Sequence, residues 1–351
     1  MLDSLTIALD AMGGDQAPDI VIEGASLTNI RHPDTEFRIY GDEAVIRPLL
    51  DKHAALSAVS TIVHTDNAIS ADMKPSQALR SGRASSMGMA ITAVKEGEAA
   101  AAVSAGNTGA LLALSKFILR MMPGIDRPAL VALMPTRDGE TAMLDLGANV
   151  ECSDENLVQF AVMGAAYVRL VQGLSRPKVG LLNIGSEELK GHESIRLAAD
   201  RLREADLSYE FVGFVEGDDI GFGKADVVVA DGFTGNIALK TVEGTARLIL
   251  ELFQRAFRNS LLSKLGYLLA RRALRTLRDH LDPNTHNGGM MLGLNGLVIK
   301  SHGGASAAGY ASAIDVAIEL AKGNLQERIA ADLAALGAGE NEPAAEEAAS
   351  A

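Results

Sequence analysis

The chain contains no tryptophan, and all aromatic residues together make up only 4% of it. A core must therefore be built from Ala, Val, Ile, Leu and Met. A single cysteine, Cys152, excludes an internal disulfide and fits a reducing cytoplasm. As a lone thiol it reads first as a small hydrophobe, and only weakly as a nucleophile. No run reaches the ~18 apolar residues of a membrane span. The opening MLDSLTIALD enters a strand directly, without the basic and apolar regions of a secretory signal. Positive charge is in deficit: 32 Lys and Arg face 45 Asp and Glu, a net charge of −13. Such a chain repels a phosphate backbone, so nucleic acid is not an expected partner. G-x-x-x-x-G-K-[ST], G-x-G-x-x-G after the first strand and G-x-S-x-G are all missing, which removes a P-loop, a Rossmann fingerprint and a hydrolase elbow. The seven histidines are scattered, with no H-E-x-x-H and no Cys/His pairing, so a zinc site is unsupported, and no cofactor is expected.

What is present is a soluble globular composition, 48% hydrophobic and 22% charged over 351 residues, with glycine raised to 35. Apolar runs predict strands at 5–10, 37–41, 61–64, 100–104, 129–134, 142–147, 179–185, 209–215, 226–231 and 297–300. Most are continuous rather than alternating, as strands buried on both faces of a parallel sheet are. Helical periodicity fills gaps that include 76–95, 107–120, 154–172, 192–204, 234–258 and 305–322. The alternation predicts a doubly wound, mostly parallel α/β fold, with one catalytic domain over 1–336. Residues 337–351, GAGENEPAAEEAASA, are Ala/Glu-rich without an apolar face and read as a disordered acidic tail.

The glycine and the polar chemistry gather in six loops after strands: DAMGGDQAP (10–18), SAGNTGA (104–110), DLGAN (145–149), NIGSEELKG (183–191), ADGFTGN (230–236) and KSHGGAS (300–306). Open α/β sheets bind ligands outside the carboxyl ends of their strands, and helix starts there offer unpaired N–H groups to an anion. The expected substrate and phosphate residues are Asp10, Gly13, Gly14, Asp15, Ser104, Gly106, Asn107, Thr108, Asn149, Gly185, Ser186, Glu188, Asp231, Gly232, Thr234, Gly235 and His302. Ser301 and Ser306 are further neutral donors. Lys190, Lys240, His192 and His302 are the candidate positive groups, although Lys240, about a turn and a half into a helix, reads first as a solvated lysine. Asp231 and Glu188 suit a metal, the orientation of a lysine, or the cap of a helix. An anion site without an obvious protein nucleophile suits a reaction in which the anion itself attacks, such as phosphate on a thioester.

Residues 247–281 differ from the rest. From 247 to 280 there are eight Lys/Arg against two acids, Glu251 and Asp279. Ala270, Leu274, Leu277 and Leu281 fall on one helical face, and LLSKLGYLL (261–269) is a compact apolar patch. This basic amphipathic helix pair reads either as a packing or subunit interface or as a surface lying on anionic lipid. On the second reading Leu261, Leu262, Leu265, Tyr267, Leu268 and Leu269 meet the membrane.

IALDAMGGDQAP, SAGNTGA, LDLGAN, NIGSEELKG and DVVVADGFTGNIALKTVEG, in this order, resemble the bacterial acyl-carrier-protein:phosphate acyltransferases of phospholipid synthesis, over about residues 5–325. The resemblance implies a fold like phosphotransacetylases and isocitrate-dehydrogenase-type enzymes. It implies transfer of a long-chain acyl group from acyl carrier protein to inorganic phosphate, and a product that glycerol-3-phosphate acyltransferase consumes. It also implies a cytoplasmic homodimer peripherally attached to an anionic membrane through the 247–281 segment. Carried over, its catalytic residues are Lys190 and Asn236, the lysine countering anionic charge and the asparagine donating to the carbonyl oxygen. Acyl carrier protein is acidic and this chain is too, so a local basic face must overcome the repulsion; Arg80, Arg83 and the arginines of 255–278 are the candidates. Two other readings remain open on the residues alone: a metal- and nicotinamide-dependent dehydrogenase of the related fold, and a non-catalytic membrane scaffold for lipid-synthesis enzymes.

Overall fold

The computed structural model describes residues 5–205, 208–258, 261–281 and 287–339, with the side chains of 258, 261, 277–279, 281 and 337–339 outside the description. The strands are β1 (Thr6–Asp10), β2 (Glu36–Gly41), β3 (Ser60–His64), β4 (Ala101–Ser104), β5 (Ala129–Pro135), β6 (Glu140–Leu144), β7 (Lys178–Leu182), β8 (Glu210–Val215), β9 (Val227–Val229), β10 (Gly289–Leu292) and β11 (Leu297–Lys300). The helices are α1 (Asp19–Arg31), α2 (Glu43–Leu50), α3 (Ala54–Ala58), α4 (Pro75–Ser81), α5 (Ser86–Lys95), α6 (Thr108–Leu119), α7 (Asp154–Val171), α8 (Glu193–Glu204), α9 (Gly232–Arg258), α10 (Leu261–Leu281), α11 (Ala307–Lys322) and α12 (Leu325–Gly339). Every expected strand is present, and β10 was not anticipated. The single helix expected over 76–95 is broken by a 3-10 turn at Gly82–Ala84, after which Ser85 caps α5 by accepting from the Gly88 N–H (3.1 Å). The final helix reaches Gly339, and residues 340–351 of the expected tail lie outside the described residues.

All eleven strands join one sheet in the order β3-β2-β1-β4-β11-β10-β5-β6-β9-β7-β8. The pairings are parallel except β11–β10, β10–β5 and β5–β6. Those three antiparallel steps divide the sheet into two parallel blocks that run in opposite directions: β1–β4 with β11, and β6–β9. The six glycine-rich loops therefore do not share one edge, as the sequence reading had them. Register shows how they still meet. One row of partners runs Leu9, Val103, Ile299, Met290, Val131, Leu144, Val229 and Leu181. It passes through or next to the last residue of β1, β4, β11, β6, β9 and β7. Both blocks thus end at one level, with only β10 and β5 between them.

Alternation along the strands assigns each face its core. Ile7, Leu9, Val103, Ile299, Leu144 and Val229 point into one large core shared with α1, α7, α8, α11 and α12. The α7 helix is hydrophobic nearly all round because it is buried there; Ser153 and Asn156 close its start in a capping box, and a Cβ on its Gly164 would stand 2.6 Å from Val227. The opposite face carries two smaller cores instead. Ala8, Ala102 and Val298 pack with α4, α5 and α6, whereas Met143, Val228 and Met134 pack with the start of α9. Leu130 on β5 is partly buried against both. The seam between these two cores, over β5, is where a cavity opens.

Candidate active site

Each parallel block closes on a buried aspartate that organises its loops. Asp10 ends β1, and its carboxylate accepts from Ser86 Oγ (2.6 Å), Ser104 Oγ (2.6 Å) and the Met12 N–H (3.3 Å). Burial raises its carboxyl above the usual range, and those hydrogen bonds and the nearby Lys300 charge oppose the rise. A Cβ on Gly13 would stand 2.5 Å from Asp10 Oδ2 and 2.7 Å from the Gly106 nitrogen, so loops 10–18 and 104–110 touch backbone to backbone. Asp145 does the same for the other block. It accepts from the N–H groups of Leu130 (3.1 Å), Ala148 (2.9 Å) and Asn149 (2.7 Å) and from Asn149 Nδ2 (2.8 Å), and burial raises its carboxyl as well. Cβ atoms on Gly232 and Gly235 would fall 2.6 Å from Asn149 O and 2.0 Å from Asp145 O. Loop 230–236 therefore lies directly on loop 145–149.

Between the two assemblies lies a cavity of about 440 Å³. One wall is apolar, built from Leu130, Ala132, Leu133 and Met134 of β5 and Leu239, Val242 and Ala246 of α9. The other end is polar and carries Thr108 at the start of α6, Asn236, Lys240, Lys300 and His302. Lys300 closes β11 on the cavity face, and its Nζ donates to the carbonyl oxygens of Ala105 (3.3 Å) and Ser301. Burial pulls its pKa down to about 8, with Asp10 and Asp15 resisting. His302 Nδ1 accepts from the Gly304 N–H (3.1 Å), so a neutral ring carries its proton on Nε2. Asn287 holds this loop, donating to Ser301 Oγ (2.8 Å) and Gly309 O (2.9 Å) and accepting from the His302 N–H (2.9 Å).

The expected site residues divide accordingly. Asn236, Thr108 and His302 line the cavity, with Lys240 beside them in an ion pair to Glu243 (2.7 Å). Gly147, in the left-handed region at φ +122°, leaves the space opposite Asn236. Asp10, Gly13, Ser104, Gly106, Asn149, Gly232 and Gly235 are packed against the neighbouring loops through their side-chain polar atoms or the space left by a missing Cβ, so they hold the loops together around the cavity. Asn107 is also committed: it caps α6 through Ala110 N (2.9 Å) and ties down the segment before α4 through Ala71 O (2.8 Å) and Met73 O (3.0 Å). Gly14 and Asp15 pack against Gly303, with Asp15 N donating to its carbonyl (2.9 Å).

The NIGSEELKG loop sits apart. Helix α8 opens only at Glu193, so Lys190 lies in a turn before it rather than in its first turn, exposed and outside the lining of the large cavity. Gly185 is buried under the Lys190 stem, Ser186 is exposed, and Glu188 faces Arg203 (3.8 Å) rather than the lysine. A second cavity, of about 280 Å³, joins this loop to Asp231 and Thr234 through Asn183, Gly191 and His192. Asp231 accepts from Thr234 N (2.8 Å) and Oγ1 (2.9 Å), so the two form the cap of α9. Sequence reading missed Lys300, Asp145 and Asn287. The signals for Lys300 were its place at the end of the apolar run LVIK and at the start of the glycine-rich loop KSHGGAS.

The model of the fatty acid synthesis protein family matches residues 5–328. The chain is 60% identical over 334 residues to the phosphate acyltransferase of Parvibaculum lavamentivorans, covering 95% of this chain and 92% of that one. It is 57% identical over 336 residues to the phosphate acyltransferase of Rhodospirillum centenum, covering 96% and 95%. The chain belongs to this family of acyltransferases. Among solved structures it resembles a phosphotransacetylase from Streptococcus pyogenes, with TM-score 0.59, 19% identity and 91% and 94% coverage, a likeness of fold.

For an acyltransferase, the obvious covalent nucleophile is poorly suited. Burial, then the charges of Asp145 and Asp231, push the Cys152 thiol up to about 12, so it stays protonated at neutral pH. The apolar stripe of α9 that walls the cavity continues into exposed Ile249 and Phe253 toward α10. The two helices pack together, with the rings of Phe257 and Tyr267 edge to face at 5.5 Å. On α10, Leu262 and Leu269 are 80% and 81% exposed, and Leu265, Tyr267 and Leu268 are exposed too. The side chains of Leu261, Leu277 and Leu281 lie outside the described residues. No helix among the described residues is long and apolar enough to cross a membrane.

Proposed function

We propose that the protein transfers a long-chain acyl group from acyl carrier protein to inorganic phosphate. The observation that carries this reading is one cavity with an acyl-compatible wall of Leu130, Leu133, Met134, Leu239 and Val242 and an anion-compatible end at Thr108, Asn236, Lys300 and His302. Among the described residues, neither serine nor cysteine lines it. A phosphate oxygen attacks the thioester carbonyl, the C–S bond breaks, and the phosphate proton passes to the departing carrier sulfur. The products are acyl phosphate and free carrier thiol, with no acyl-enzyme. Lys300 holds the phosphate charge, and the N–H groups opening α6 at Thr108 add to it. Asn236 donates to the carbonyl oxygen as negative charge develops there. Lys190, exposed and without an ion-pair partner among the described residues, brings a second positive charge when its loop folds over the bound anion.

The exposed leucines of α10 and the basic residues around them support contact with an anionic membrane, where the chain acts as a homodimer and hands its product to glycerol-3-phosphate acyltransferase. The test is phosphate-dependent release of carrier thiol from acyl carrier protein, with the product trapped by hydroxylamine as a hydroxamate. Asn236→Ala and Lys190→Ala are each expected to lower kcat by about 10²–10³. Thiol release that ignores phosphate overturns the reading, and full turnover by both variants overturns the roles given to Asn236 and Lys190.

A further inference from the structure

Charge in this acidic chain is unevenly spread. Residues 73–95 and 99–125 contain six Lys and Arg and no acid. Five of the six, Lys74, Arg80, Arg83, Lys116 and Arg120, are exposed on or beside α4 and α6. None of the five forms an ion pair among the described residues. Asp72, the nearest acid before them in the chain, is engaged with Ser70 of its own loop.

The two helices run side by side away from the cavity. At its mouth, where Thr108 contributes to the lining, Pro75 of α4 stands 3.0 Å from a Cβ on Gly109. Farther out, a Cβ on Gly82 would meet the Leu114 side chain at 3.2 Å. At the far end the guanidinium groups of Arg83 and Arg120 stand over the Phe117 ring, at 5.8 Å and 5.5 Å from its centroid. Nine residues of helix separate Thr108 from Phe117, about 14 Å along the axis.

We infer that the α4–α6 face, with Lys74, Arg80, Arg83, Lys116 and Arg120, is the docking surface for the acidic carrier protein that presents the acyl thioester to the cavity. The inference rests on the proposed reaction and adds the surface through which its substrate arrives. Charge complementarity selects the occupant. The chain as a whole repels an acidic partner, and screening within about 8–10 Å lets a local cluster of unpaired cations reverse that sign. A second copy of this chain is disfavoured, because a two-fold interface sets the patch against itself and opposes like charges. Lipid is disfavoured as well: only Leu79 and Phe117 are exposed large apolar side chains here, and Phe117 is flanked by two guanidinium groups, whereas α10 displays a run of bare leucines.

The test is the triple variant Arg80→Glu/Arg83→Glu/Lys116→Glu in the full chain. Two measurements are made: binding of the free carrier protein at several salt concentrations, and phosphate-dependent turnover of the same acyl group on the carrier or on pantetheine. Wild type is expected to bind the carrier with strong salt dependence. The variant should raise KM for the carrier-borne substrate about tenfold or more and flatten the salt dependence. Its kcat and its turnover of acyl-pantetheine should stay unchanged, which also reports an intact fold. Equal loss with both substrates, or no change with either, overturns the inference. So does a loss of vesicle binding or of the oligomeric state with carrier affinity intact, since the patch then faces lipid or a second copy. If wild type binds carrier through this face but forms no acyl phosphate from either substrate, the reaction has failed and the docking surface stands.

Discussion

Replacing Lys300 by methionine separates the cost of burying its charge from the use of that charge. An unfolded chain holds the lysine proton up to about 10.5, whereas the folded chain releases it near 8 because the amine is desolvated at the end of β11. Between those values the unfolded state binds more protons, so stability rises with pH across that window. Below it the fold carries the whole penalty. The drop from 10.5 to about 8 corresponds to about 3 kcal/mol. Lys300→Met removes this dependence. Urea unfolding at pH 7 and pH 10.5 should show wild type gaining about 3 kcal/mol relative to the variant over that interval, whatever constant offset follows from losing the hydrogen bonds to the Ala105 and Ser301 carbonyls. Phosphate kinetics give the functional half. In wild type, KM for phosphate should rise about tenfold per pH unit above pH 8 as the amine loses its charge. In the variant it should be high and pH-independent over the same range. Parallel stability curves together with an unchanged phosphate KM would refute both the buried charge and its role.

Two further outcomes are expected. Gly235→Ala should destabilise the fold by about 2 kcal/mol or more, because its Cβ would fall 2.0 Å from the Asp145 carbonyl and the two loops cannot separate without breaking the cap of α9. Gly244→Ala, on the same helix with open space around it, should instead stabilise by up to about 1 kcal/mol, and urea unfolding distinguishes the two. Leu262→Glu/Leu269→Glu should abolish sedimentation with anionic vesicles while leaving turnover of a soluble acyl thioester intact; unchanged sedimentation rules out α10 as the lipid contact.

The elements were legible because their signals are local. The runs LTIALD, VGLLNIG and LVIK declare buried strands through continuous β-branched and aliphatic residues, and helical periodicity over 154–172 and 305–322 places α7 and α11 to within a residue or two. β10 escaped because GMML is four residues set among glycines, and its pairing comes from β11 and β5 rather than from its own pattern. The break inside 76–95 escaped because the patterns on either side of RSGRASS (80–86) read as one helix, although only Ala84 is apolar within that stretch. In the site, Asn236, Thr108 and His302 were found from glycine-rich loops after strands. The same rule picked out Asp10, Ser104 and Asn149, and composition does not show that their side chains bond neighbouring loops.

The sequence by itself therefore determined the alternation of strands and helices, the loops that carry the chemistry, the family resemblance and the absence of a competing nucleophile motif. Only the tertiary structure decided that three antiparallel pairings set two opposed blocks level with each other. It also decided that the cavity opens where two minor cores fail to merge, and that Lys300, rather than Lys190, stands inside it. The physical reason is range: periodicity and capping act over a few residues, whereas register, desolvation and charge proximity join residues such as Asp10, Ser104 and Lys300 that are far apart in the chain.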